Sequence, residues 1–343
     1  MNAVPRLSIG LPVYNGETYL AESLDALLGQ SYEDFELIIS DNASTDGTAD
    51  ICRRYRKQDS RIRCIRQPRN IGAAPNHNFV FQESRGELFK WASADDLYAR
   101  ELLQRCVEAL DEYPDVVLAH SWTAAIDSTG NITQALRYPL ATDSPRPPER
   151  FRSILFGSSG LFGGSGFGVR GLIRADNDGV IRACDQYGVI RADVLRRVAP
   201  LGSYYHADRA IVPEIALHGP FHQAPDWLYF RRDHPDRATR AYPTVRAQCA
   251  NLDPRRANRL RHPTARLRAE YIWVYIAAIR RAPLTPADRR ECYRHLAQWV
   301  ASRAVRKALP SRFGRTGGEP SAIVDSHAVS VHAVVAGQGR RLT

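Results

Sequence analysis

The feature that most constrains the fold is a regular alternation of two hydrophobic periods over the first 120 residues. Short apolar runs typical of buried strands, at 7–13, 35–40 and 87–92, alternate with segments whose apolar residues follow helical spacing. Parallel strands need crossover connections of this kind, which are usually helices. The alternation therefore predicts an α/β chain with a mostly parallel central sheet flanked by helices.

Polar residues cluster where three of the predicted strands end, at Tyr14-Asn15, Asp41-Asn42 and Asp95-Asp96. In open α/β sheets, ligands bind beyond the carboxyl ends of the strands. We therefore expect the three clusters to converge on one crevice. Adjacent carboxylates such as Asp95 and Asp96 are typical oxygen ligands of Mg²⁺ or Mn²⁺, which would neutralise a bound diphosphate. The alternative interpretation of this pair is a solvated helix start.

Four motifs in order resemble the nucleotide-binding half of family-2 glycosyltransferases, which have the GT-A fold. They are Ser-Ile-Gly-Leu-Pro-Val-Tyr-Asn at 8–15, Phe-Glu-Leu-Ile-Ile-Ser-Asp-Asn-Ala-Ser-Thr-Asp-Gly-Thr at 35–48, Asn-Ile-Gly at 70–72 and Lys-Trp-Ala-Ser-Ala-Asp-Asp at 90–96. The resemblance implies a GT-A domain over 1–235, with a nucleotide-binding half at 1–122 and an acceptor half at 123–235.

The resemblance assigns roles to residues at the first two strand ends. Pro12, Tyr14 and Asn15 would line the base and ribose pocket, and Asp41 and Asn42 would reach the nucleobase. The family usually has two aspartates at the latter position. Because Asn both donates and accepts hydrogen bonds whereas Asp only accepts, the departure at position 42 leaves the identity of the base open.

The family's metal motif is usually Asp-x-Asp, and Ser93 stands here in place of its first residue. The resemblance implies that Asp95 is a ligand of Mn²⁺ or Mg²⁺ with Asp96 as an outer helper, while Ser93 contacts ribose or a metal-bound water. Further along the chain, a short basic segment follows a predicted strand. Its members Arg231, Arg232 and His234 would bind the departing diphosphate or complete the metal shell, and a plain basic loop is the alternative.

The family also uses a general base at the start of a helix in the second half. The segments 187–191 and 206–209 fit that layout, and Asp208 is our predicted base, with an ordinary helix N-cap as the alternative. The resulting hypothesis is an inverting glycosyltransferase of glycan biosynthesis that takes a nucleoside-diphosphate sugar and a saccharide or lipid-linked acceptor. Inversion follows from the resemblance alone.

The charge is uneven along the chain. Residues 1–150 carry 16 basic and 22 acidic residues, and the remainder carries 31 basic and 15 acidic residues. We predict a basic helical extension at 236–310 and a mobile tail at 311–343. The segment 270–281 is apolar with basic flanks, which would suit peripheral contact with an anionic membrane. Its apolar residues nearly encircle the helix, which favours a core helix or a homodimer contact instead.

Other features limit the alternatives. Six scattered cysteines form no C-x-x-C pair, and the chain starts without the pattern of a secretory signal, so we expect a cytoplasmic protein, at most peripheral at the inner membrane surface. A literal G-x-G-x-x-G at 166–171 is interpreted as a loop, and Asp-Asn-Asp at 176–178 as a turn. A catalytically inactive nucleotide-sugar binder and a nucleotidyltransferase remain alternatives. A nucleic-acid-binding protein ranks last, because no basic stripe with interleaved aromatic residues is present.

Overall fold

The computed structural model describes residues 4–135, 141–156, 183–308 and 331. The glycine-rich loop and the turn predicted at 166–171 and 176–178 lie outside the described residues, as does the predicted tail apart from residue 331. Within the described part, a nine-stranded sheet lies between helices, which confirms the predicted α/β class with a central sheet and a helical C-terminal region.

The first half of the sheet is parallel. Its strands and helices alternate in the order β1 (Leu7–Val13), α1 (Leu20–Leu28), β2 (Phe35–Asp41), α2 (Thr48–Gln58), β3 (Ile62–Arg66), α3 (Ala73–Gln82) and β4 (Leu88–Trp91). The strands lie in the order β3-β2-β1-β4. Every residue of β2 is buried, because helices cover both faces of the sheet, and this explains why its sequence is a continuous apolar run rather than an alternating one.

The second half of the sheet is mixed. It contains β5 (Leu97–Tyr98), α4 (Leu102–Glu112), β6 (Leu118–Ile126), β7 (Ile132–Ala135), α5 (Pro147–Phe156), β8 (Val189–Arg191), α6 (Ala192–Arg197), α7 (Asp208–Ala216) and β9 (Phe221–Arg232). Strand β8 runs antiparallel to both β4 and β6, and β9 runs parallel to β6. Parallel pairing therefore predominates in the first half of the sheet, as expected, whereas the second half combines the parallel β6–β9 pair with antiparallel pairs.

A short pairing joins the two halves at the edge of the sheet. Strand β5 has only two residues, and it pairs antiparallel with β9, with Leu97 opposite Phe230 and Tyr98 opposite Tyr229. Because β5 directly follows the Asp95-Asp96 turn, this register places that turn beside the carboxyl end of β9. Residues separated by more than 130 positions in the chain thereby form one site.

Two segments without a clear hydrophobic period contain secondary structure. The Thr, Ser and Pro content of 127–150 predicts a loop, yet β7 and the start of α5 fall there. The polar composition of 236–263 predicts a connector, and this segment contains α8 (Ala238–Ala241) and α9 (Val245–Leu252). In the second case the physical reason is local capping, because the Thr244 side chain accepts a hydrogen bond from the amide of Ala247 and starts α9.

The C-terminal extension continues with α10 (Thr264–Arg281) and α11 (Pro286–Ala308), and it packs on the acceptor half. Tyr275 and Ile279 of α10 are buried in one apolar cluster with Phe151 of α5 and Trp299 of α11. The Arg281 guanidinium pairs with the buried Glu214 of α7 at 2.9 Å. Most apolar residues of α10 are thus buried or partly buried against other elements of the same chain. Among the described helices, none combines the length and hydropathy that a membrane span requires.

We expect Ile279→Ala to lower the free energy of unfolding by about 2–5 kcal/mol, because Ile279 is fully buried and the substitution leaves a cavity. The matched control is Trp273→Ala on the same helix, whose side chain is 57% exposed and should change stability little. Urea unfolding followed by circular dichroism measures both. Equal effects for the two variants would contradict the packing of α10 onto the domain.

Candidate active site

The carboxyl ends of β1 and β2 are joined directly to each other. The amide of Asn42 donates to the carbonyl of Val13 at 2.8 Å. Asn15 adopts a left-handed backbone conformation with φ 50°, and its side-chain oxygen accepts from the amide of Thr45 at 2.9 Å. Pro12 is half-buried beside them and Tyr14 is exposed at the rim. The structure therefore brings these predicted nucleotide-pocket residues to one edge of the sheet.

Contacts with Asn70 and Ile71 explain why position 42 is Asn rather than the Asp that is usual in the family. Its amide nitrogen donates to the side-chain oxygen of Asn70 at 3.1 Å, while its oxygen accepts from the amide of Ile71 at 2.9 Å. A carboxylate at this position could accept the second bond but could not make the first. Asp41 is equally buried, accepts from the amide of Ser44 at 2.8 Å and lies 3.1 Å from the Arg66 guanidinium.

The turn after β4 presents Asp95 to the crevice. Its carboxylate lies 3.0 Å from Nε2 of His234 and accepts a hydrogen bond from the Ser93 hydroxyl, and its side chain is 24% exposed. Burial opposes ionisation, but the contact with His234 and the charge of Arg237 outweigh it and lower the pKa of Asp95 to about 2. Asp95 is therefore an ionised carboxylate, aimed at the opening and held by a histidine.

Asp96 has a different environment from Asp95. It is fully buried, one carboxylate oxygen accepts from the amide of Arg232 at 2.8 Å, and the other accepts from the hydroxyl of Tyr229. Burial, together with the charge of Asp95, raises its pKa. Because its oxygens already hold β9 in place, we leave Asp96 out of the ligand set, although the sequence suggested it as a helper.

Arg232 is also buried, although it is the largest charged side chain in the site. It donates to the carbonyl of Asp95 at 2.9 Å and to the Glu22 carboxylate at 2.6 Å. Its guanidinium lies 4.6 Å from the centre of the Tyr19 ring, which in turn lies 4.8 Å from the ring of His234. Arg232 thus supports the Asp95 turn from behind and ties it to α1.

A buried lysine lies next to these carboxylates. Lys90 at the end of β4 is fully buried, donates to the carbonyl of Tyr187, and lies 5.1 Å and 5.8 Å from the ring centres of Tyr98 and Tyr229. Burial lowers its pKa to about 8 against the opposing effects of Cys106 and Asp96. The lysine therefore joins β4 to the segment that directly precedes β8.

The donor set at the opening fits a divalent cation only in part. Asp95 and His234 offer one carboxylate and one imidazole in direct contact with each other, and Nδ1 of the buried His234 ring has no hydrogen-bond partner among the described residues. Within the described part of the chain, no group of three or more His, Cys, Asp or Glu could hold a metal by itself. A cation here would need oxygen ligands from a bound diphosphate or from water.

The remaining predicted residues lie on neighbouring elements. Asp208 is the first residue of α7, which places it at a helix start as expected, but its side chain lies outside the described residues. It follows a turn in which His206 has φ 56°. Arg231 lies on β9 opposite Ala125 and is half-buried.

Sequence reasoning did not identify Tyr229, Arg237, Tyr19 and Asn70 as parts of this site. Tyr229 bonds Asp96, and the guanidinium of Arg237 lies 3.6 Å from the same carboxylate. The signal available in the sequence was weak, since only the unpredicted β5–β9 pairing brings these residues to the Asp95-Asp96 turn. Asn70 belonged to a recognised motif, and its amide partner Asn42 could have suggested the contact.

Residues 8–174 match the family described as "Glycosyl transferase family 2". The chain is 29% identical over 125 residues to the glycosyltransferase GlyG of Streptococcus pneumoniae, which covers 36% of this chain and 42% of that protein. It is 30% identical over 135 residues to the uncharacterized glycosyltransferase MJ1057 of Methanocaldococcus jannaschii, covering 39% and 47% of the two chains. The chain thus matches less than half the length of each of these relatives.

Among solved structures, the fold is similar to that of S. aureus TarS residues 1–349 in complex with UDP-GlcNAc. The TM-score is 0.50 at 14% sequence identity, and the match covers 90% of this chain and 93% of that chain. A longer TarS structure also gives a TM-score of 0.50, at 17% identity over 87% of this chain and 53% of that chain. At this level of identity the likeness supports the fold.

We expect Tyr229→Phe to lower the free energy of unfolding by about 1–3 kcal/mol, because it removes the hydroxyl donor to a buried carboxylate. The control is Tyr113→Phe, whose ring is 43% exposed and which should unfold like the wild type. Chemical denaturation measures both variants. A wild-type midpoint for Tyr229→Phe would show that Asp96 does not depend on this bond.

Proposed function

We propose that this chain is a family-2 glycosyltransferase, which transfers a sugar from a nucleoside-diphosphate sugar to an acceptor hydroxyl with inversion at the anomeric carbon. The observation that carries this proposal is the pairing of Asp95 with His234 at the carboxyl edge of the sheet, next to the strand ends that hold Asn15 and Asp41. Sites in open α/β sheets lie at this edge. The match of residues 8–174 to the family and the UDP-GlcNAc of the TarS structure support a nucleotide-sugar donor.

The proposed donor lies along the edge, with its nucleoside against the β1 and β2 ends and its diphosphate against the β4 and β9 ends. Asn15 and the Asp41-Asn42 pair would hold the nucleoside. Asp95 and His234 would hold Mn²⁺ or Mg²⁺ together with the diphosphate oxygens. A cation bound there supplies positive charge to the leaving diphosphate. Arg232 holds the carbonyl of Asp95 and so fixes the turn in this orientation.

We assign the role of general base to Asp208. Its carboxylate would accept the proton of the acceptor hydroxyl while the hydroxyl oxygen attacks the anomeric carbon. The bond between that carbon and the diphosphate then breaks, and the nucleoside diphosphate leaves with the bonding electrons. The position of Asp208 at the start of α7, directly after the turn at His206, supports the assignment, because the family resemblance places the base at a helix start in the second half of the chain.

We expect one of UDP, GDP and dTDP to bind by calorimetric titration in the presence of Mn²⁺ and to lose at least about tenfold in affinity with EDTA. Asp95→Asn and His234→Gln should each cause a comparable loss, because each removes a proposed cation ligand. The matched control is Asp115→Asn, an exposed aspartate outside the crevice, which should bind like the wild type. Failure of all three nucleotides to bind under any condition would overturn the proposed function.

Asp208→Asn tests the general base. With the donor that the titration identifies, we expect the release of nucleoside diphosphate to fall by about 10²–10⁴-fold, because a positioned base contributes that much. Donor affinity should stay within about twofold, since Asp208 is not placed at the donor. The control Asp193→Asn changes an exposed aspartate in the first turn of α6.

The outcomes of that assay separate the alternatives. Undiminished release by Asp208→Asn would exclude it as the base while leaving the transferase intact. Binding of a nucleotide sugar without any release by the wild type, with water or saccharide mixtures as acceptors, would favour a catalytically inactive binder.

A further inference from the structure

The C-terminal extension borders an open cavity of about 700 Å³ that is separate from the donor edge. Its basic and hydroxyl lining consists of Tyr205, which precedes α7, and of Thr244, Arg246, Arg259, Thr264 and Arg268, which follow β9. No acidic residue lines it in the described part of the chain. The cavity therefore presents three guanidinium groups and several hydroxyls to whatever enters it.

The arginines that line the cavity differ from the other arginines of residues 246–270 in their ion pairing. Residues 246–270 contain seven arginines but only two acidic residues, Asp253 and Glu270. Asp253 pairs with Arg255, and Glu270 pairs with both Arg256 and Arg266. These three paired arginines do not line the cavity.

The cavity arginines form no ion pair with any described residue. Arg246 is positioned by uncharged groups, donating to the carbonyl of His262 at 3.1 Å and to the hydroxyl of Thr264 at 3.3 Å. A guanidinium has five N–H donors, so Arg246 retains donors for a ligand. Arg259 and Arg268 are exposed. Of the seven arginines at 246–270, three outside the cavity thus pair with a carboxylate, whereas the three that line the cavity do not.

The cavity lies next to the acceptor side of the proposed active site. Tyr205 contributes to its wall, and the Tyr205 ring packs against His206 with their centres 3.7 Å apart. His206 forms the turn that leads into α7, whose first residue is Asp208. The cavity and the start of α7 are therefore linked through the adjacent residues Tyr205 and His206.

We propose that this cavity binds a phosphate group of the acceptor, so that the acceptor is a phosphate-bearing saccharide, polyol or lipid. Guanidinium groups bind phosphate oxygens in bidentate geometry, and the threonine and tyrosine hydroxyls supply further donors. Three positive charges match a dianionic phosphate, or two phosphodiesters in sequence, better than a single carboxylate. The assignment of this phosphate to the acceptor rests on the proposed glycosyl transfer. The existence of an anion-binding site in the cavity does not depend on it.

The test compares two double variants of equal charge in the full chain. Arg246→Gln/Arg268→Gln removes two cavity arginines, whereas Arg255→Gln/Arg261→Gln removes two exposed arginines of the same segment that do not line the cavity. Calorimetric titration with inorganic phosphate and with glycerol 3-phosphate measures binding. We expect the affinity for phosphate to fall by about tenfold or more in the cavity variant, and to change by less than about twofold in the control. The reason is that only the cavity variant loses guanidinium groups that would form charge-assisted hydrogen bonds to the phosphate oxygens.

Equal binding by the two double variants, or no phosphate binding by the wild type, would overturn the proposal. Circular dichroism and the urea midpoint establish that each variant is folded. Nucleotide titration on the same samples tests the proposed donor site separately from the proposed phosphate site. Absence of nucleotide binding would leave the comparison of phosphate binding unaffected, and absence of phosphate binding would leave the nucleotide titration unaffected.

A third measurement distinguishes the source of the phosphate. Phosphatidylcholine vesicles with and without about one fifth phosphatidic acid are sedimented with each variant at matched salt. Phosphatidic-acid-dependent binding that the cavity variant loses and the control keeps indicates a lipid phosphate. Loss of glycerol 3-phosphate binding without any vesicle binding indicates a phosphate on a soluble saccharide or polyol.

Discussion

The buried guanidinium of Arg232 is the interaction on which the geometry of the site depends. Its backbone amide bonds Asp96, its side chain bonds the carbonyl of Asp95, and its other end reaches the Glu22 carboxylate on α1. Elements from both ends of the domain are therefore fixed by one side chain that water hardly reaches. Removing one partner from such a network leaves an uncompensated buried charge, which is far more destabilising than the loss of an exposed ion pair.

The region around Arg232 also contains a buried lysine and a buried aspartate. Lys90 and Arg232 are cationic, and Asp96 lies with them in the part of the sheet where β4, β5 and β9 meet. Burial lowers the pKa of Lys90 to about 8 and raises that of Asp96, so burial disfavours the charged form of each group. This arrangement fixes a rigid frame behind the crevice. Asp95 projects forward from that frame as a low-pKa carboxylate, because the contacts of Asp96 are already used in holding β9.

The sequence predicted the parts of the fold that are encoded locally. The strands and helices of the first 120 residues follow from hydrophobic periodicity, and the convergence of Asn15 and Asp41 at one edge follows from parallel pairing. The pairing of a two-residue strand with β9 could not be predicted, because its stability comes from tertiary contacts over 130 residues away rather than from its own composition. The distinction between Asp95 and Asp96 has the same origin, since only that pairing buries one of them.

Individual ion pairs explain how the structure accommodates the difference in charge between the acidic first half of the chain and the basic remainder. In the acidic first half the exposed and half-buried arginines largely meet carboxylates, as Arg6 does with Glu87 and Arg61 with Asp59. In the segment 246–270 the acidic residues are too few, and both of them, Asp253 and Glu270, pair with arginines outside the cavity. Random placement of surplus arginines would scatter them over the surface, where water screens them at little cost. Three of them, Arg246, Arg259 and Arg268, instead line one concave volume next to the turn that precedes α7, where a bound anion would neutralise their charge. A binding role accounts for that arrangement, and net charge alone does not.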